Sequence, residues 1–313
     1  VKIIIDCDPG HDDIMAIFSA LAHPESIEIL GYTTVCGNNL LDEVTNNLCN
    51  VLSYLNIKGI ISKGAKKPLV YKPEPQPIAH GENGLGGPVF NECNVFPIEK
   101  HAIEFMYDSI VDNEKIIIFA LGPLTNIAAL IEKYPEVIDK IEKVIVMGGS
   151  IYRGNILEES EFNIYGDPHS AKIVFDSKLD IVLATLEVCD YCKLSHEIID
   201  GYLNKSNLYK LTYEILNFYF EYSKRKGDDK SPVFDLAVTM YYLHPEIFEG
   251  KYAFVDVVLD GSKRGKTIIN YNENGNVLVL DKADNDKFEK YFLEDLKLLD
   301  NMLKNQNSNQ VKN

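Results

Sequence analysis

The stretch "KIIIDCDPGHDDIMAIFSALAH" (residues 2–23) sets the architecture and raises the functional question together. "KIII" (2–5) is the apolar run of a buried strand. Pro-Gly (9–10) makes a turn, and "DDIMAIFSALAH" (12–23) follows as a helix with acids in its first turn. Four carboxylates, Asp6, Asp8, Asp12 and Asp13, crowd the eight residues 6–13 at the strand end. Like charges that close shift one another's pKa values, so the cluster costs stability unless a cation or a reaction uses it. Helix capping would explain Asp12 and Asp13 but not all four. The turn draws carboxylates from both sides towards one point, which suits a hard cation with oxygen ligands, Ca²⁺ or Mg²⁺. An EF-hand is excluded, because its twelfth position counted from Asp6 is Ile17.

Strand then helix recurs along the chain. Strands are expected at 27–35, 116–121, 143–149 and 180–186, and helices at 41–55, 124–134 and 168–177. The alternation implies right-handed βαβ units. The expected fold is a single α/β domain with a mostly parallel, Rossmann-like central sheet flanked by helices. Its site should lie at the strand carboxyl ends. Residues 67–97, rich in Pro, Gly and Asn, form a loop too long for a simple connection. Helices then follow at 209–225 and 233–243, a β patch within 252–280, and a last helix at roughly 284–304. The domain is expected to span 1–304, with the polar 305–313 as a disordered tail.

The chain has 313 residues, 46% of them hydrophobic, and a formal net charge of −16. That balance argues against nucleic acid and anionic membranes as partners and suits a neutral small molecule and divalent cations. The six scattered cysteines suit reduced thiols in a cytoplasmic protein. Cys189 and Cys192 form a lone C-x-x-C, a weak zinc or redox signal, and both are taken as structural. "VKIII" (1–5) is too short for the apolar core of a signal peptide. No run approaches the ~20 apolar residues of a membrane span.

A strand ending in Asp-x-Asp also occurs in haloacid-dehalogenase phosphatases, which use Mg²⁺. The motifs point elsewhere. "DCDPGHDD" (6–13) resembles the amino-terminal signature of the nucleoside hydrolases, the inosine-uridine-preferring type and its relatives. "TTVCGN" (33–38), "HGENGLGG" (80–87), "LGPLTNIA" (121–128), "VIVMGGS" (144–150), "EFNIYGDP" (161–168) and "FDLAVT" (234–239) follow in family order. The resemblance implies hydrolysis of the N-glycosidic bond of ribonucleosides, through a transition state with charge building on the ribose. It implies Ca²⁺ as cofactor, with Asp8, Asp13, Asp235 and the backbone carbonyl of Leu121 as ligands. Asp8 would also be the general base, and Asp12 would accept a hydrogen bond from the ribose 2′-hydroxyl. Asn155, Glu161 and Asn163 are the family's ribose-binding positions, with Asn38 nearby. A homo-oligomer, dimer or tetramer, is the common family state.

One departure concerns the leaving base. Inosine-uridine-preferring members carry a His just before the distal Asp, and this chain has Phe234. His80 is retained as the candidate acid, and Tyr222 and Lys226 are further candidates near the base. Phe234 could stack on the base, which favours purine nucleosides or a broad range. The competing reading from outside enzymology is a Ca²⁺-dependent nucleoside-binding protein without turnover.

Overall fold

The computed structural model describes residues 1–75, 84–225 and 227–310. The elements run β1 (Lys2–Cys7), α1 (His11–Leu21), β2 (Glu28–Thr34), α2 (Leu41–Tyr54), β3 (Ile61–Lys63), α3 (Ala102–Val111) and β4 (Ile116–Ala120). Next come α4 (Thr125–Lys133), β5 (Ile141–Met147), α5 (Phe162–Gly166), α6 (Pro168–Phe175), β6 (Ile181–Ala184), α7 (Leu186–Cys189) and β7 (Lys193–Ser195). The chain closes with α8 (Asn207–Lys224), β8 (Lys230–Pro232), α9 (Leu236–Leu243), β9 (Phe248–Val257), β10 (Thr267–Tyr271), β11 (Val277–Ala283) and α10 (Asn285–Gln310).

Nine strands form one sheet in the order β10-β9-β11-β6-β5-β4-β1-β2-β3. Every pairing from β11 to β3 is parallel, and β9 runs against both its neighbours. The expected α/β fold is therefore observed. The late β patch extends this same sheet, because β11 pairs in parallel with β6. β7 and β8 make a separate two-stranded ribbon that the sequence reading missed, as it did β3 and α3.

The sheet divides two apolar cores. Ile3, Ile5 and Cys7 face the core built with α1, α2, α8, α9 and α10. Ile4 faces the other, built with α3, α4 and α6. This alternation follows from the two-residue period of a strand. It also sends Asp6 to Ile4's side, where its carboxylate accepts from Asn126 Nδ2 at 2.7 Å and Thr33 Oγ1 at 2.5 Å. Asn126 lies on α4 and also accepts from Ala65 N at 2.8 Å. Asp6 is thus a fully buried structural anchor, not a member of the site cluster that its sequence neighbours form.

The chain proceeds from β1 outward to β2 and β3, then returns to place β4 on β1's other side. Such a reversal opens a crevice at the strand carboxyl ends, where ligands of open α/β sheets bind. The last helix runs to Gln310, past the 304 limit expected from its polar composition. Continuing a formed helix is easier than nucleating one. A Lys304–Asp300 pair at 2.6 Å and a Ser308 Oγ bond to Lys304 O at 2.9 Å support the added turns. Among the described residues, no helix is long and apolar enough to cross a membrane.

α10 is tied to α1 by a polar contact. Asp295 accepts from Ser19 Oγ at 2.5 Å and meets His23 Nε2 at 2.7 Å. The hydrogen bond to Asp295 raises the His23 pKa above its ordinary 6.5, against a smaller opposing effect of burial. A raised folded-state pKa stabilises fully below the unfolded value and is lost as pH rises through the folded one. The substitution His23→Gln should therefore lower Tm at pH 6 and lower it much less at pH 9. Equal losses at both pH values would contradict the charged pair.

Candidate active site

The Pro9-Gly10 turn carries the chain from β1 into α1 and packs the acids against one another. Asp13 caps its own helix, accepting from Gly10 N at 2.9 Å and Asp8 N at 3.1 Å. Asp8 turns towards β2 and accepts from Asn38 N at 2.6 Å. Two glycines leave room for that carboxylate. A Cβ at Gly37 would lie 2.0 Å from Asp8 Oδ2, and one at Gly122 would lie 2.5 Å from Asp8 Oδ1. Asp235 comes from the start of α9 and makes no capping hydrogen bond, so the plain helix-cap explanation fails for it.

Oxygens of Asp12, Asp13 and Asp235 all lie within 4.8 Å of one another. Asp8 is not part of that tightest group, although the resemblance named it with Asp13 and Asp235. It is bonded to Asp13 through its own N–H. All four side chains are buried. Burial first, then repulsion from Asp13, holds the Asp8 carboxyl well above the usual carboxylate range. Burial and repulsion from Asp12 do the same to Asp235 and push Asp13 up to about 7. Asp8 Oδ1 is buried without a hydrogen-bond partner. An all-oxygen set of crowded, buried carboxylates with an orphaned acceptor fits a hard divalent cation.

Above the acids opens a cavity of about 480 Å³, a volume typical of small-molecule sites. Asp12, Asn38, Leu121, Glu161, Phe234 and Asp235 line it, as do Asn155 and Asn163. The structure thus brings together eight of the residues named from the sequence, with Asp8 and Asp13 hydrogen-bonded to Asn38 of its wall. Their hydrogen bonds sort the donors from the acceptors. Asn163 Nδ2 donates to Leu121 O at 2.8 Å and to Met147 O at 3.2 Å, leaving its Oδ1 as an acceptor. Asn155 Oδ1 accepts from Phe162 N at 2.9 Å, leaving its NH₂ as a donor. Asn38 Nδ2 is engaged with Asp8 O at 3.0 Å, so Asn38 braces the acids as well as lining the cavity.

Glu161 is the N-cap of α5. Its carboxylate accepts from Asn163 N at 2.8 Å and from Ile164 N and Gly149 N at 3.0 Å. Burial raises its pKa to about 7 despite those donors. Cys189 and Cys192 are free, fully buried thiols, and Cys189 Sγ donates to Phe234 O at 3.8 Å. His80 and Lys226 lie outside the described residues, as does the side chain of Tyr222.

Sequence reading missed His11 and Tyr219, whose rings stack at 3.9 Å in the cavity wall. His11 sits inside the opening motif, and that placement was its only signal. Burial lowers its pKa to about 3, so it stays neutral. At the mouth, Arg153 donates to Asp190 Oδ1 at 2.8 Å and to Leu186 O at 3.1 Å.

Comparison with known proteins agrees with this geometry. The family model for inosine-uridine preferring nucleoside hydrolase matches residues 3–290. That span leaves no place for the phosphatase alternative. The pyrimidine-specific ribonucleoside hydrolase RihA of Salmonella paratyphi B is 35% identical over 277 residues, 87% of this chain and 89% of its own. A plant nucleoside hydrolase, PpNRh1, superposes with a TM-score of 0.88 at 28% identity, covering 94% of this chain and 98% of its own. A purine-preferring ribonucleoside hydrolase from Gardnerella vaginalis gives a TM-score of 0.89 at 27% identity, covering 96% and 99%.

The crowded acids predict a thermal signature. Titrating a divalent cation to about a hundredfold above its Kd should stabilise the fold by about 2.7 kcal/mol. The substitution Asp235→Asn should raise the metal-free Tm by relieving repulsion and abolish the response to cation. Scanning calorimetry with Ca²⁺, Mg²⁺ and EDTA checks both. A metal-insensitive wild-type Tm would rule out a cation site there.

Proposed function

Because this chain belongs to the inosine-uridine preferring nucleoside hydrolase family, we propose that its cavity hydrolyses the N-glycosidic bond of ribonucleosides to ribose and free base. One observation carries the reading: buried acids converge at the floor of a cavity whose wall offers paired amide and carboxylate groups. Asp8, Asp13, Asp235 and the Leu121 carbonyl are the proposed Ca²⁺ ligands. The Leu121 oxygen accepts one bond from Asn163 and has a second lone pair for a cation. When bound, Ca²⁺ would supply Lewis acidity that makes a water easier to deprotonate.

The chain's own residues do the rest. Asp8 takes the proton from the attacking water as general base. Asp12 accepts the ribose 2′-hydroxyl. Asn155 offers an NH₂ and Asn163 an oxygen to the other sugar hydroxyls, with Glu161 holding the segment that carries them. A site built to bond hydroxyls rejects a sugar that lacks one, so ribonucleosides should outrun 2′-deoxyribonucleosides. Phe234 stacks on the base, and His80 is the proposed acid for its departure.

On base preference the observations divide. Phe234 suits a bicyclic base, and the Gardnerella protein is described as purine-preferring. RihA, at 35% identity, is described as pyrimidine-specific. We propose a broad range leaning to purines.

Reducing-sugar release from inosine, adenosine, guanosine, uridine and cytidine, with Ca²⁺ and after EDTA, is the decisive assay. Release should be metal-dependent, and inosine should match or exceed uridine. Asp8→Asn should lower kcat by about 10²–10⁴-fold, the range for losing a general base. Nucleoside binding without any release would replace the hydrolase with a binding protein. Uridine outrunning inosine by orders of magnitude would overturn the purine lean.

A further inference from the structure

We propose that Arg264, on the turn between β9 and β10, is a positioning residue that sets the sugar-binding segment 154–163. The inference rests on the hydrolase reading above.

The segment has internal supports, among them the Asn155 Oδ1 and Glu161 carboxylate bonds described above. Asn155 N donates to Ser160 O at 3.1 Å, and Leu157 and Ser160 form an isolated bridge. Behind it stands the β9–β10 turn. Ser160 Oγ donates to Arg264 O at 2.7 Å. Lys263 pairs with Glu159 at 2.6 Å, and Lys266 pairs with the same carboxylate. Gly265 has φ +79°, and a Cβ there would lie 2.4 Å from Tyr165 Cα, so the turn and α5 touch backbone to backbone.

The Arg264 side chain completes the buttress. Its guanidinium carbon lies 3.6 Å from the centre of the Tyr165 ring and 4.1 Å from that of Tyr71. Nη2 donates to Glu74 at 2.9 Å, and the other Glu74 oxygen accepts from Tyr165 Oη at 2.8 Å. Tyr71 Oη in turn donates to Leu259 O at 2.8 Å. Arg264 is only 9% exposed, and its Nε is buried without a partner.

A guanidinium held against two rings with one carboxylate and an orphaned donor is an unfavourable choice for filling space. An apolar side chain would fill it without the desolvation cost. What the arginine supplies is a planar cation against which both rings pack. Tyr165 shares the five-residue α5 with Asn163. Locking the ring therefore locks the rotation of α5, and with it the Asn163 oxygen and the Glu161 cap. Asp8, Asp13 and Asp235 hang from β1, α1 and α9 and have no contact with this stack in their hydrogen bonds. α5 reaches the proposed cation ligands through the Asn163 Nδ2 bond to Leu121 O, so loosening the stack should weaken sugar recognition more than cation binding.

The test compares wild type with Arg264→Gln, Arg264→Lys and Glu74→Gln, using the best ribonucleoside and its 5′-deoxy, 3′-deoxy and 2′-deoxy counterparts. Wild-type turnover is read first. Its absence would defeat the hydrolase reading without bearing on Arg264. Given turnover, Arg264→Gln should raise KM about tenfold with kcat changed less than about threefold, the pattern of lost uniform binding. Preference over the 5′- and 3′-deoxy substrates should shrink. Preference over the 2′-deoxy substrate should shrink less, because Asp12 remains. Arg264→Lys should rescue little, and Glu74→Gln should show the same pattern more weakly. A Ca²⁺-induced Tm shift should be retained in all three. Unchanged sugar discrimination, or kcat and the Ca²⁺ shift falling together with Tm, would overturn the proposal and leave Arg264 a packing residue.

Discussion

Mutual repulsion among Asp8, Asp12, Asp13 and Asp235, all buried at one end of the sheet, is the constraint around which this half of the molecule is arranged. The donors that hold Asp8 and Asp13 are backbone N–H groups and the Asn38 amide. Among the described residues, no lysine or arginine is among the main influences on Asp8, Asp13 or Asp235. Amide donors soften the charge without cancelling it, so the deficit is left for a cation. The glycines at 37 and 122 follow from the same constraint, because any side chain there would collide with the Asp8 carboxylate. The reversal of strand order between β1 and β4 supplies the crevice in which the arrangement is possible.

Much of this was legible in the sequence because it is local. Apolar runs followed by amphipathic stretches identify β1, β2, β4, β5 and β6 with their helices, and the elements form where the patterns place them. The acids of 8–13 announce themselves by density alone. Family motifs then located Asn155, Glu161, Asn163 and Asp235 across a separation that no local pattern bridges, and all four line one cavity. What stayed hidden depends on tertiary partners. β3, β7 and β8 have three residues each, too short for periodicity to register, and exist through pairing with neighbours. Tyr219 is one aromatic residue in a helix full of them, and only the fold stacks it on His11.

Asp6 and Asp8 show where counting residues misleads. They are two positions apart in one motif and differ in purpose. Asp6 lies within the strand, takes the direction of Ile4 and binds across to α4. Asp8 lies past the strand's end, free of that period, and joins the acids of the turn. Composition gave four equivalent acids, and the pleat separates one of them. Glu161 teaches a related lesson. It was named as a sugar ligand, yet its oxygens accept three backbone N–H groups, which makes it the keystone of its segment as well.

The burial of α1 has its own consequence. From His11 to Ala20 every residue of that helix is buried, between the sheet and the helices α8, α9 and α10. A helix enclosed on every side cannot fray by itself, so its amides open to solvent only when the surrounding core opens. Asp12 and Asp13 ride on that helix. The amides of the helix interior, from Ile14 onward, should therefore exchange only as the surrounding core opens. Whatever flexibility substrate entry demands would then come from other segments around the cavity than α1.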